Sequence, residues 1–222
     1  MNVGVLLAAG ASTRMGEPKA QVRWKGQSFL AHGVRALWSV CDVVIAVLGS
    51  QAALVRTGAE EEFERIVESG GLSEDLHAAQ GHGARSLEVR FETNRAWKRG
   101  MFGSARVGLA AAVRTRPSAI FVLPVDHPEV KGATVASLGA VMSDALGSFG
   151  RTGWKDFSYA LVPRHLGRRG HPLVLTPALA KAIAKDDDAA DLGDAVRRHA
   201  RLVGYLDVTD KGILVNRNTK KR

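Results

Sequence analysis

Apolar residues in this chain follow two rhythms. Short, nearly unbroken runs at 3–8 (VGVLLA), 42–49 (DVVIAVLG) and 119–125 (AIFVLPV) suit strands buried on both faces of a parallel sheet. Between them, Phe29, Leu30, Val34, Leu37 and Trp38 recur at helical spacing. Residues 51–68 read as a helix with a strongly charged face, 105–114 as a small-residue helix and 132–145 as another helix. Residues 86–92 (SLEVRFE) alternate apolar and polar, which predicts a strand. Strands at 158–163 and 202–208 follow, with an apolar strand inside 167–176 (GRRGHPLVLT) and a short helix at 191–200. Alternating strand, loop and helix predicts βαβ units in a three-layer α/β domain with a mostly parallel sheet. With no internal repeat and no low-complexity linker, a single domain is expected over 1–222.

The polar stretches divide into loops and solvated faces. Residues 70–85 and 147–156 are Gly-rich and read as loops. His77 and His82 lie in the first, where no third ligand type argues for a metal. Glu60-Glu61-Glu62 reads as a solvated face, Asp186-Asp187-Asp188 as a solvated loop, and His32 as a packing or surface histidine.

Composition narrows the class. The 222 residues are 45% hydrophobic, ordinary for a globular protein, with no apolar run near the roughly 18 residues of a membrane span. A secretory leader is not expected, because the first apolar run ends quickly in Ala-Gly-Ala-Ser. A lone cysteine, Cys41, allows no intramolecular disulfide. A cytoplasmic protein without a membrane partner is expected. The net charge of +9 fits either nucleic acid or a polyanionic small molecule. Its two clusters, 164–169 (RHLGRR) and the solvated tail 220–222, lack the interleaved aromatics of a stacking platform, so no nucleic-acid partner is expected.

The chemistry concentrates in 3–19 (VGVLLAAGASTRMGEPK). A buried strand opens into small residues whose backbone N–H groups can converge on an anion. Arg14 adds a planar fork of donors and Lys19 a point charge, so the stretch is suited to phosphates. It is not a P-loop, since Glu17-Pro18 follows Gly16, and not a dinucleotide fingerprint, since Ser12 stands where Gly is needed. Leu7, Ala8, Ala9, Gly10, Ser12, Arg14, Met15, Gly16, Pro18 and Lys19 instead fill every fixed position of L-A-A-G-x-S-x-R-M-G-x-P-K. The chain therefore resembles the nucleotidyltransferases with a Rossmann-like fold that carry this signature. Asn94, Trp97, Gly100, Met101 and Ser104 match a second motif of that family in order, and Asp126-His127-Pro128 matches its Asp-x-Pro. Gly167-Arg168-Arg169-Gly170-His171-Pro172 is similar to a loop of the branch that nucleotidylates molybdopterin.

The resemblance implies a Rossmann-like fold and a molybdenum cofactor cytidylyltransferase or a close relative, moving CMP from CTP to the terminal phosphate of molybdopterin. It implies that Leu7, Ala8, Ala9, Gly10, Ser12, Arg14 and Lys19 bind the nucleotide, with Asn94 and Ser104 near the base. Ser104 can also be read as an N-cap alone. Arg14, Lys19 and Asp126 become the catalytic set, and Arg168, Arg169 and His171 face the second substrate, although His171 can equally cap a hairpin. Asp126 is the implied Mg²⁺ ligand. The closing ILVNRNTK (213–220) stands where relatives carry Asp-x-Asp-Thr-Pro, so Asn216 and Asn218 are the candidate second ligands. Ala8-Ala9 before Gly10, where guanylyltransferase relatives tend to carry a second glycine, favours CTP. A sugar- or polyol-phosphate nucleotidyltransferase and a non-catalytic carrier of the cofactor are the alternatives, and a molybdenum hydroxylase apoenzyme is the implied protein partner.

Overall fold

The protein is described by a computed structural model over residues 1–10, 17–68, 88–151 and 157–217. Its ten strands and six helices among the described residues are β1 (Asn2–Ala8), β2 (Arg23–Trp24), β3 (Gln27–Ser28), α1 (Phe29–Trp38), β4 (Val43–Leu48), α2 (Ala52–Glu68), β5 (Glu88–Thr93), α3 (Met101–Arg114), β6 (Ala119–Pro124), α4 (Gly132–Arg151), β7 (Tyr159–His165), β8 (Arg168–Arg169), β9 (Leu173–Leu175), α5 (Pro177–Ala184), α6 (Leu192–His199) and β10 (Leu202–Asp207). The main sheet runs β10-β7-β9-β6-β1-β4-β5, with β8 hairpinned onto β7. β1 lies between β6 and β4 and is parallel to both, with Val5 opposite Val122 on one side and Ile45 on the other. β9 is antiparallel to both β6 and β7, which makes the sheet mixed and leaves β7 pointing the same way as β6.

Strand alternation sorts the core into two layers. Leu6, Ala46, Phe121 and Leu123 point to a cluster with Leu30, Val34 and Leu37 of α1 and Leu138 and Met142 of α4. Val3, Val5, Leu7, Ile45 and Val122 point the other way, to Leu109 of α3, Ile183 of α5 and Val196 of α6. Each Leu or Ile so buried contributes about 1.5–3 kcal/mol. Gly108 lets α3 lie against the sheet: a Cβ there would overlap Val5 Cγ1 and come within 2.8 Å of Val47 Cγ2. The expected α/β domain with a mostly parallel sheet is the observed one.

Three expectations are corrected. Helix α4 continues to Arg151 through the stretch read as a loop, because Ala145 and Leu146 still have a core to cover. Residues 152–156, residues 69–87 with His77 and His82, and residues 218–222 lie outside the described residues. Glu62 is buried rather than solvated: its carboxylate accepts the Ser28 N–H at 2.9 Å, just where Ser28 caps α1 by accepting from the Ala31 N–H. Asp186 is likewise organised, accepting from the Asp188 and Ala189 N–H groups and pairing with His199 at 2.8 Å. His199, with these hydrogen bonds, holds the Asp186 carboxyl below the usual carboxylate range. His32 packs, its Nε2 2.7 Å from the Trp24 carbonyl. No described helix is long and apolar enough to cross a membrane.

Candidate active site

The carboxyl ends of β1 and β6 open side by side. The Val125 N–H donates to the Leu7 carbonyl at 3.0 Å, carrying the ladder one step past the strand and setting Asp126 beside Ala9 and Gly10. Adjacent carboxyl ends of parallel strands are where open α/β sheets bind ligands. A cleft of about 290 Å³ lies there, lined from the sheet by Leu7, Ala9, Gly10, Pro124, Val125 and Asp126. Its other wall is Trp97, Lys98, Gly100, Met101 and Ser104, and Lys19 closes one end.

Lys19 enters on a short 3-10 turn (Lys19–Gln21) and brings its Nζ to 3.1 Å from Asp126 Oδ2. Both side chains are largely buried, 21% and 14% exposed, so this pair is screened much less than a surface one. Asp126 Oδ1 is buried with no hydrogen-bond partner among the described residues. A carboxylate with one oxygen on a lysine and the other without a hydrogen bond, 3.9 Å from His127 Nε2, suits a divalent cation, which takes one or two carboxylates and leaves its remaining positions to phosphate and water. Among the described residues no three His, Cys, Asp or Glu converge on one point.

The far wall is built by a buried amide. The Asn94 N–H extends the β5 edge by donating to Leu48 O at 2.8 Å. Its side-chain Oδ1 accepts the Ala96 N–H, and its Nδ2 donates to Ser104 Oγ, both at 2.9 Å. Helix α3 begins at Met101, earlier than its sequence suggests, because Gly100 caps it with φ 103°, a backbone region that glycine enters without strain. Ser104 thus sits in the first turn rather than at the opening, its hydroxyl oriented by Asn94 and its proton available to donate. The positive end of the α3 dipole faces the cleft.

The family of the MobA-like NTP transferase domain matches residues 4–202. This chain belongs to that family. Among individual relatives of this MobA-like chain, a nicotine blue oxidoreductase from Paenarthrobacter nicotinovorans is 32% identical over 212 residues, 94% of this chain and 87% of that one. A probable molybdenum cofactor guanylyltransferase from Bacillus mycoides is 32% identical over 80 residues, 36% of each chain. The fold is shared with Mth528, a nucleotidyl transferase from Methanothermobacter, at a TM-score of 0.60 and 19% identity, covering 99% of this chain and 92% of that one. It is shared also with Rv0371c from Mycobacterium tuberculosis in a complex with manganese, at 0.58 and 22%, covering 93% and 87%.

The MobA-like chain gathers some expected residues and separates others. Leu7, Ala9, Gly10, Lys19, Ser104 and Asp126 line one cleft, while Ala8 is buried with its side chain in the opposite core layer. Asn94 stands behind the wall, its amide spent on Ser104 and Ala96. Ser12 and Arg14, within 11–16, and Asn218 lie outside the described residues. Asn216 is exposed and does not line the cleft. Lys98, which the sequence reading passed over, does line it; its place between Trp97 and Gly100 of the second motif is the signal that could have found it.

His127 and His171 form a pair behind Asp126, their rings 4.8 Å apart and edge-on at 60°. Burial pushes the His127 imidazole below its ordinary value, against the pull of the Asp126 carboxylate and a backbone hydrogen bond at Gly212. Burial, then the neighbouring His127, push His171 down to about 4. His171 keeps part of its surface in solvent, but its Nδ1 is buried without a partner among the described residues.

Arg168 and Arg169 occupy β8, which pairs with the end of β7 at the same carboxyl edge and on the same side of β7 as β9. Both are exposed. The Arg169 guanidinium lies 5.2 Å from the centre of the Tyr205 ring and Arg164 lies 4.9 Å from it, the latter also gripping Asp207 at 3.0 and 2.7 Å. Arg197 and Arg198 pair with Asp194 on the exposed side of α6.

Proposed function

We propose that the chain is a Mg²⁺-dependent cytidylyltransferase acting in the cytoplasm, moving CMP from CTP to the terminal phosphate of molybdopterin and releasing pyrophosphate. The observation that carries this reading is the Lys19–Asp126 pair in the cleft, with Asp126 Oδ1 buried and without a hydrogen bond among the described residues. The α-phosphorus forms a bond to an acceptor phosphate oxygen as its bond to the β-phosphate oxygen breaks, and no covalent enzyme intermediate is needed. Catalysis of this kind rests on positioning and charge neutralisation. The backbone from Gly10 onward, with Ser12 and Arg14, holds the β- and γ-phosphates. Lys19 leaves Asp126 for the charge that builds around the α-phosphorus. Asp126, with Asn218, would hold Mg²⁺, which would supply charge neutralisation to the phosphates; Asn216 stands outside the cleft. Trp97, Met101 and Ser104 bound the base, and Ala8-Ala9 favours cytosine over guanine. Arg168, Arg169 and the exposed edge of His171 receive the acceptor's phosphate, and the apoenzyme of a molybdenum hydroxylase takes the product.

One observation favours a second reading. The relative matched over 94% of this chain is named an oxidoreductase, so a redox activity on this fold competes with nucleotidyl transfer. Purified protein with Mg²⁺, molybdopterin and each NTP in turn separates the two. Pyrophosphate release with CTP alone is expected. Release with GTP instead would reassign the base, and release with a sugar phosphate as acceptor would reassign the second substrate. No release with any NTP, together with turnover of nicotine blue in a redox assay, would replace the proposal by the redox reading.

A further inference from the structure

The segment that closes the described chain is bound to the Asp126 turn at two points. Near its start, buried Asp210 accepts from the Lys131 N–H at 2.9 Å and from Thr134 Oγ1 at 2.8 Å. At its end, the Arg217 N–H donates to the Asp126 carbonyl at 2.8 Å. The Arg217 side chain then does two further things. Its Nε and Nη2 converge on Glu129 Oε1 at 2.7 and 2.6 Å, across a pair only 28% and 27% exposed. Its guanidinium also lies 5.0 Å from the centre of the Trp24 ring. Trp24 belongs to the β2–β3 hairpin that directly follows the Lys19 turn, and His32 holds its carbonyl at 2.7 Å. One arginine therefore joins the turn that carries Asp126 to the hairpin that continues from Lys19.

We infer that Arg217 is a positioning residue: it fixes the separation of Lys19 and Asp126 from outside the cleft, without touching the ligand. A lysine cannot take the place of a planar fork that holds one carboxylate oxygen with two donors while stacking on an indole. Main-chain donation to Asp126 survives any substitution but proline, so Arg217→Ala and Arg217→Lys test the side chain alone. The effect on turnover rests on the transferase reading; the effect on geometry does not.

The test uses the full chain and Arg217→Ala, Arg217→Lys and Glu129→Gln. With CTP, Mg²⁺ and acceptor, Arg217→Ala is expected to lower kcat about tenfold or more, since misplacement of reacting groups by about 1 Å is that costly. KM for CTP should stay within about threefold, because Arg217 does not line the cleft. Arg217→Lys and Glu129→Gln should fall between it and the parent. In the ligand-free proteins, amide exchange should quicken around Asp126 and through the Lys19 turn together. Exchange unchanged in both segments, or a lowered melting temperature with kcat per folded molecule at the parent value, would overturn the inference. If the parent shows no turnover with any NTP, the transferase reading fails, and the exchange measurement still decides the role of Arg217.

Discussion

Positive charge is handled in two ways along the carboxyl edge of the sheet. Beside β1 and β6, Lys19 is four-fifths buried and meets a carboxylate at 3.1 Å in the wall of a cleft. Beside β7, Arg168 and Arg169 stand in solvent, and Arg169 is steadied by the face of Tyr205. A buried pair is costly to break and has one position; an exposed guanidinium is worth little on its own and adapts to what arrives. The first arrangement suits a group that must meet a reacting atom in one geometry. The second suits recognition of a phosphate on a larger, second molecule. Under the proposed reaction, the contrast divides the edge by task, with the His127–His171 pair on the boundary.

Four experiments bear on that division. Asp126→Asn should have the largest effect, cutting pyrophosphate release about a thousandfold while nucleotide still binds, as loss of a key electrostatic group in a dry site does. Full activity in this variant would move the chemistry out of the cleft. Lys19→Ala should lower kcat about a hundredfold and weaken CTP binding by much less, because its charge is needed most in the transition state. Steady-state kinetics beside calorimetric titration of CTP reads both quantities, and equal losses would make Lys19 a ground-state anchor.

On the boundary, the folded value of His171, about 4, lies below the ordinary 6.5. The unfolded chain therefore takes up the proton first. The stability His171 contributes is complete above pH 6.5 and lost as the pH falls toward 4, with His127 acting in the same direction. Melting temperatures across that window should drop by a few degrees, and less steeply in His171→Gln. An unchanged slope in that variant would mean the loss arises elsewhere. Smallest of all, Arg169→Ala should raise the acceptor KM about threefold to tenfold and leave that of the NTP alone, since an exposed charge contributes about 1 kcal/mol. A change confined to the NTP would erase the boundary.

Most of the scaffold was legible. The unbroken apolar runs ending at Ala8, Leu48 and Pro124 suit strands covered on both sides, and they are the parallel centre of the sheet. The motif residues Gly10, Lys19, Ser104 and Asp126 also meet in one cleft. What stayed hidden depends on who stands across from a residue. Glu62 reads as one of three solvated acids until Ser28 is seen to need its oxygen. Asn94 reads as a ligand until its amide is found committed to Ser104. Arg217 lies between the two asparagines singled out as metal ligands, yet its meaning comes from Glu129 and Trp24, which are remote in sequence. Periodicity reports which face is buried; it carries no information on pairs of polar groups.

The short strand β9 fixes an order of assembly. In the sheet, β7 reaches the parallel block through Leu173–Leu175 alone, yet those residues follow β7 in the chain. When β7 has left the ribosome it has no neighbour to zip onto, whereas β1, β4, β5 and β6 can already pair. The β7–β9 hairpin docks through β9 beside Ile120, Phe121 and Val122, and β10 then adds to the free edge of β7. The half built on β1, β4, β5 and β6 is thus expected to mature before the half that carries the basic hairpin, and pulse-labelled exchange during refolding should record protection in that sequence.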